Sequence, residues 1–157
     1  MATHRLWFNE RLVSEIPQDC LVQILVARVI LDSNFLFIPS QFQLDIVDEL
    51  AKLLDQRVDL VILSPTYEEI ARIATSRPPK MRKQASLALK LADKCHIIPA
   101  EQRENESNDD VIVRVAREWQ SPVATNDRAL RTRLRDINVP VIYVRQKSHL
   151  EIEGNIH

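Results

Sequence analysis

The chain has 157 residues, 45% hydrophobic and 27% charged, with a net charge of −1, which fits one globular domain with a proper core. Arg28, Asp32 and Asn34 interrupt the apolar stretches, so none has the length to span a bilayer, and the start MATHRLWFNERL lacks the apolar core of a signal peptide. Two cysteines, Cys20 and Cys95, argue against a disulfide framework, the absence of a Cys/His cluster argues against structural zinc, and a cytoplasmic location follows as the expectation.

Residues 1–23 precede the first regular pattern, and Trp7 and Phe8 within them favour a packed appendage over an exposed leader. The main domain is expected over 24–157. Its first strand is ILVARVIL, 24–31, ending abruptly in Asp32. A helix is expected over 42–56, where Leu44, Val47, Leu50, Leu53 and Leu54 recur at helical spacing. VDLVIL, 58–63, reads as the second strand. Ser64 is placed to cap the next helix and Pro65 to occupy its first turn. A further helix spans 80–95, with Ala85, Leu87, Ala88 and Leu91 for its apolar side, and the short strand HIIP follows.

AEQRENESN, 100–108, is the best loop candidate, and Ser107 or Asn108 can cap the helix DDVIVRVAREWQ. SPVAT (121–125) then reads as a strand, NDRALRTRLRDI as a helix, and VPVIYV (139–144) as the last strand. This alternation predicts crossover connections and a mostly parallel sheet of about five strands, covered on both faces: a three-layer α/β/α sandwich. Gly154 is the single glycine, so a glycine-rich phosphate loop is excluded.

Charge is uneven along the chain. Residues 72–94 carry Arg72, Arg77, Lys80, Arg82, Lys83, Lys90 and Lys94 against Asp93 alone. Residues 128–147 carry Arg128, Arg131, Arg133, Arg135, Arg145 and Lys147 against Asp136 alone. Such runs suit a phosphodiester partner gripped by its backbone, although runs of charge are more often solvated helix faces.

In an open parallel sheet, sites form outside the carboxyl ends of the strands. Asp32 ends the first strand there, Glu68 and Glu69 open the helix after the second, Asp109 and Asp110 open another helix, and Asp127 follows PVAT. Carboxylates gathered at about 4 Å repel by roughly 4 kcal/mol per pair at an effective dielectric near 20, so they must take up protons or hold a cation. Oxygen donors without His or Cys suit Mg²⁺ or Mn²⁺, which can activate water and stabilise phosphoryl charge. Singly, the helix-start acids have a bland explanation in the helix dipole. Asp32 is harder to dismiss, because Asp is depleted in strands.

LDSNFL (31–36), YEEIARI, DDVIVRVA (109–116) and ATNDRALRTRL (124–134) together resemble the PIN-domain nucleases. The ending VPVIYVRQKSHLEIEG, 139–154, resembles an archaeal PIN subgroup related to the Fcf-type factors of rRNA processing. The resemblance covers about residues 26–154. It implies a PIN-like fold and a Mg²⁺- or Mn²⁺-dependent endoribonuclease, with Asp32, Glu69, Asp109 and Asp127 as catalytic and metal-holding residues. It favours Glu69 over Glu68 because an aliphatic residue follows, and Asp109 over Asp110 because Asp109 leads a pattern of the form Asp-x-x-Ile. Ser33, Thr125 and Asn126 would support the site, the latter two by orienting Asp127 or a water.

The mechanism expected is attack of an activated water on a phosphorus of single-stranded or looped RNA, with Arg72, Lys80, Arg82, Lys83, Arg128 and Arg131 at the phosphates. Aromatic residues total 5%, so base-stacking platforms are scarce. Two alternatives stay open: a ribonuclease toxin of a toxin–antitoxin pair, and a PIN-like module that binds RNA or ribosome-assembly partners without cutting. A homodimer is compatible with each. A haloacid-dehalogenase-type phosphatase also starts with a strand ending in Asp, but needs a second Asp where this chain has Asn34.

Overall fold

A computed structural model describes residues 26–76 and 78–155. The expected appendage at 1–23 lies outside these. The elements in order are β1 (Ala27–Leu31), α1 (Ser33–Leu36), α2 (Ile38–Phe42), α3 (Ile46–Leu54), β2 (Val58–Leu63), α4 (Ser64–Ser76) and α5 (Pro79–Ala92). They continue as β3 (His96–Ile98), α6 (Asn108–Trp119), β4 (Val123–Ala124), α7 (Arg128–Asp136), β5 (Val141–Arg145) and β6 (His149–Glu153).

The strands form one sheet in the order β3-β2-β1-β4-β5-β6. β3, β2, β1, β4 and β5 run parallel, and β6 returns antiparallel on the edge. Alternate residues of each strand feed opposite cores, as the pleat requires. Val29, Leu31, Ile62 and Ile142 pack with α1 to α5. Ile30, Val61, Leu63 and Val141 pack with α6 and α7. Both layers are dense; Ile30 and Leu31 are fully buried. A Leu31→Ala cavity would cost about 2–5 kcal/mol. The expected α/β/α sandwich is present.

The sixth strand was absent from the expected five. Its turn places Gln146 and Lys147 at φ 54 and 57, the left-handed pair of a tight hairpin. Asn-Gly or Asp-Gly is the usual sequence signal for that turn, and neither occurs here. The helix expected over 42–56 is interrupted for a local reason. Asp45 accepts hydrogen bonds from the Val47 and Asp48 amides, both at 3.1 Å, and so starts α3 only at Ile46. Ser64 likewise proves to be the first residue of α4 and not its cap. Its Oγ instead ties down the loop after β3, accepting from the Ala100 amide (3.0 Å) and donating to the Ala100 carbonyl (3.3 Å).

Candidate active site

The sheet order sets the location. The chain winds outward from β1 through β2 to β3, then crosses back to β4 on the other side of β1. Connections leaving β1 and β4 therefore diverge to opposite faces, opening a crevice at the carboxyl ends of those two strands. Asp32 and Asp127 lie in those connections.

Asp32 continues the ladder for one more residue, its amide donating to the Ala124 carbonyl at 3.0 Å. Its side chain then starts α1: Oδ1 accepts from the Ser33 amide at 2.8 Å. Oδ2 accepts from the Thr125 hydroxyl at 2.7 Å, from the end of β4. The residue is 5% exposed. Burial pushes its carboxyl from 3.8 up to about 6 against the pull of those two hydrogen bonds, and the charges of Asp109 and Glu69 push the same way.

Thr125 acts in both directions along its loop, since the same hydroxyl accepts from the Asp127 amide at 3.1 Å. Asp127 is itself the cap of α7, with Oδ1 accepting from the Ala129 and Leu130 amides at 2.9 and 3.3 Å. Asn126, expected to orient Asp127 or a water, has its side-chain oxygen tied to β5. Its Oδ1 accepts from the Val144 amide at 2.9 Å, and its own amide donates to Asn34 Oδ1 at 3.3 Å. Asn126 and Asn34 thus stitch the exits of β1 and β4 to β5. The sequence carries no signal for this task of Asn34, because the pairing joins positions 92 residues apart in the chain.

The doublets separate by environment. Glu69 is half-buried on α4 and accepts from Asn108 Nδ2 at 3.0 Å, whereas Glu68 is exposed. Asp110 is committed to local structure: it completes a capping box with Ser107, Oδ2 accepting from the Ser107 amide at 2.8 Å, and Oδ1 accepts from Arg133 Nη2 at 2.8 Å. Those Ser107 bonds and then Arg133 hold its carboxyl down at about 2. Asp109 is raised above the usual carboxylate range, first by burial, then by the charge of Asp127, with Glu69 and Asp110 adding and Arg133 opposing. Asp32, Glu69, Asp109 and Asp127 are thus brought into one electrostatic neighbourhood.

Among the described residues, no three His, Cys, Asp or Glu side chains are already gathered as a metal cage. The donor chemistry nevertheless fits a hard divalent cation: all four are carboxylates, and the two with raised carboxyls are held up first by burial and then by the charges of neighbouring acids. Of the basic residues expected at RNA, Arg72, Lys80, Arg82, Lys83 and Arg128 are exposed. Arg131 is not available in the same way. Its guanidinium lies 3.7 Å over the Tyr143 ring and pairs with Glu153 at 3.4 Å, so it braces α7 against β5 and β6.

Fold and site together define a mostly parallel α/β/α protein with acidic residues at its topological switch point. The chain belongs to the PIN-like domain family, whose model matches residues 29–147. Ribonuclease VapC4 of Methanocaldococcus jannaschii is 32% identical over 130 residues, covering 82% of this chain and 98% of that protein. Among solved structures, that of the PIN domain endonuclease Utp24 has a TM-score of 0.68 at 24% identity, covering 82% of this chain and 92% of its own. A domain of a functionally unknown protein from Methanocaldococcus jannaschii has a TM-score of 0.56 at 16% identity, covering 84% of this chain and all of its own. These two structural likenesses bear on the fold.

Proposed function

We propose that this protein is an endoribonuclease that hydrolyses RNA phosphodiester bonds with the help of Mg²⁺ or Mn²⁺. The observation that carries the reading is the convergence of Asp32, Glu69, Asp109 and Asp127 from separate connections, close enough for their charges to act on each other. Membership of the PIN-like family and similarity to Ribonuclease VapC4 support it.

In this reading Asp32, Glu69, Asp109 and Asp127 would hold the cation, which supplies Lewis-acid stabilisation for a phosphodiester under attack. Thr125 fixes Asp32 by donating to Oδ2, and its second bond, from the Asp127 amide, keeps the two acids in register. Ser33 holds the other Asp32 oxygen through its amide. Arg72, Lys80, Arg82, Lys83 and Arg128 grip phosphates and position the strand without reading bases. Specificity then comes from RNA shape, since Trp119 and Tyr143 already face Arg28 and Arg131.

The test is incubation of structured and unstructured RNAs with the protein in Mn²⁺, Mg²⁺ and EDTA, alongside Asp32→Asn. Cleavage in either metal that both EDTA and the substitution abolish is the expected result. Cleavage that survives both would end the metal–carboxylate reading.

A second reading changes the biology and keeps the chemistry: a ribonuclease toxin with a cognate antitoxin, which the similarity to Ribonuclease VapC4 favours. Growth arrest on expression, relieved by Asp32→Asn, separates it from a processing enzyme acting on rRNA with ribosome-assembly partners. A cytoplasmic location and a homodimer belong to the proposal as well. No helix among the described residues is long and apolar enough to cross a membrane.

A further inference from the structure

Asn108, Asp109 and Asp110 are consecutive, yet their side chains have separate partners. Asp110 serves the capping box and Arg133, and Asp109 lies within reach of the charges of Asp127 and Glu69. Asn108 reaches across to α4, where Nδ2 donates to Glu69 Oε2 at 3.0 Å. The helix start has no call on this side chain, because Ser107 and Asp110 already make the cap.

The orientation of the Asn108 amide is set from behind. Gln102 Nε2 donates to Asn108 Oδ1 at 3.4 Å and to the Glu106 carbonyl at 2.6 Å. Turning the Asn108 amide over would set an oxygen against the Glu69 carboxylate and an N–H₂ against the Gln102 N–H₂. The loop that carries Gln102 is itself pinned. Arg114 Nε donates to Glu106 Oε1 at 2.9 Å, its Nη2 donates to the Glu101 carbonyl at 2.6 Å, and the Arg103 amide donates to Glu106 Oε2 at 2.9 Å. The connection between β3 and α6 is therefore a fixed support that ends on a site carboxylate.

We propose that Asn108 is a positioning residue for Glu69, held in its working orientation by Gln102, so that the 100–108 loop sets the aim of one carboxylate of the cluster. The inference rests on the metal-dependent reading of that cluster. Partners that orient a ligand from outside are worth roughly 10–100-fold in metal affinity.

The test is calorimetric Mn²⁺ binding to the full chain without RNA, at fixed pH, with thermal melting of each variant. Asn108→Ala and Asn108→Ser are each expected to weaken Mn²⁺ binding about tenfold while Tm moves by only a few degrees. Either substitution is expected to have no further effect in a Glu69→Ala background, because its action passes through Glu69. Gln102→Glu is expected to reproduce the loss, since its carboxylate favours the turned-over amide. Wild-type affinity in Asn108→Ala and Asn108→Ser overturns the inference, as does an equal loss with and without Glu69. If wild type and Glu69→Ala bind Mn²⁺ alike, the assignment of Glu69 to the metal falls first and takes the inference with it.

Discussion

At Asp32, a carboxylate 5% exposed follows a fully buried strand and accepts two hydrogen bonds without escaping the penalty of burial. The folded chain keeps a proton there up to about pH 6, whereas the unfolded chain releases it near 3.8. Between those values the folded state binds more protons, so the contribution of Asp32 to stability falls as pH rises and levels off above about 6. The full difference is about 3 kcal/mol. Asp32→Asn is accordingly expected to raise Tm of the metal-free protein at pH 7 by roughly 6–12 °C and to flatten its pH dependence between 4 and 6. The same substitution should abolish RNA cleavage. Melting curves at pH 4, 5, 6 and 7 check the first part, and a lower Tm for Asp32→Asn at pH 7 would contradict it. Glu68 and Glu69 offer a sharper contrast. Exposed Glu68→Ala should leave cleavage within about twofold, while Glu69→Ala should lower it at least about 100-fold, measured as initial rates in Mn²⁺.

Elements place these residues through their ends. α1 starts on Asp32, α6 on Ser107 with Asp110, and α7 on Asp127, so helix capping and site building share the same side chains. Where the cap is separate from the cluster, the two effects should separate. Ser107→Ala breaks the capping box and is expected to cost about 1 kcal/mol in urea unfolding, with a modest loss of cleavage from a looser Asp109. Asn126→Ala should be more damaging. It leaves the Val144 amide without its acceptor and frees the β4–α7 loop from β5, at a cost of about 1–3 kcal/mol, with cleavage falling through misplacement of Asp127. A rate loss without any loss of stability would show that Asn126 touches the chemistry directly.

At the scale of the molecule, basic side chains divide into those turned outward and those bound into the fold. RNA binding by cleavage-deficient Asp32→Asn should weaken with salt, and single Lys80→Gln, Arg82→Gln, Lys83→Gln or Arg128→Gln substitutions should each reduce the slope of log affinity against log salt by about 0.7. Arg131→Gln should leave that slope alone and instead destabilise the chain, because it removes the stack on Tyr143 and the pair with Glu153. Filter binding across salt concentrations distinguishes the two classes, and a slope change for Arg131→Gln would return it to the RNA-facing set.

Hydrophobic periodicity was enough to find the parallel core, because runs such as VILD and VDLVIL can be satisfied only between two helical layers. The rim position of the acids followed from that order, because parallel strands bring all carboxyl ends to one edge. Local competition hid the break at Asp45 and the direct start of α4 at Ser64, and the missing turn signal hid β6. The sequence by itself determined the layers, the edge and the residue types at the site. Only the tertiary structure decided that Glu68 is exposed and Asp110 engaged in a helix cap, that Arg131 stacks on Tyr143 and pairs with Glu153, and that Asn34, Asn108 and Asn126 link distant elements. Those choices rest on hydrogen bonds between residues up to 92 positions apart, whose energies depend on mutual orientation and leave no periodic trace along the chain.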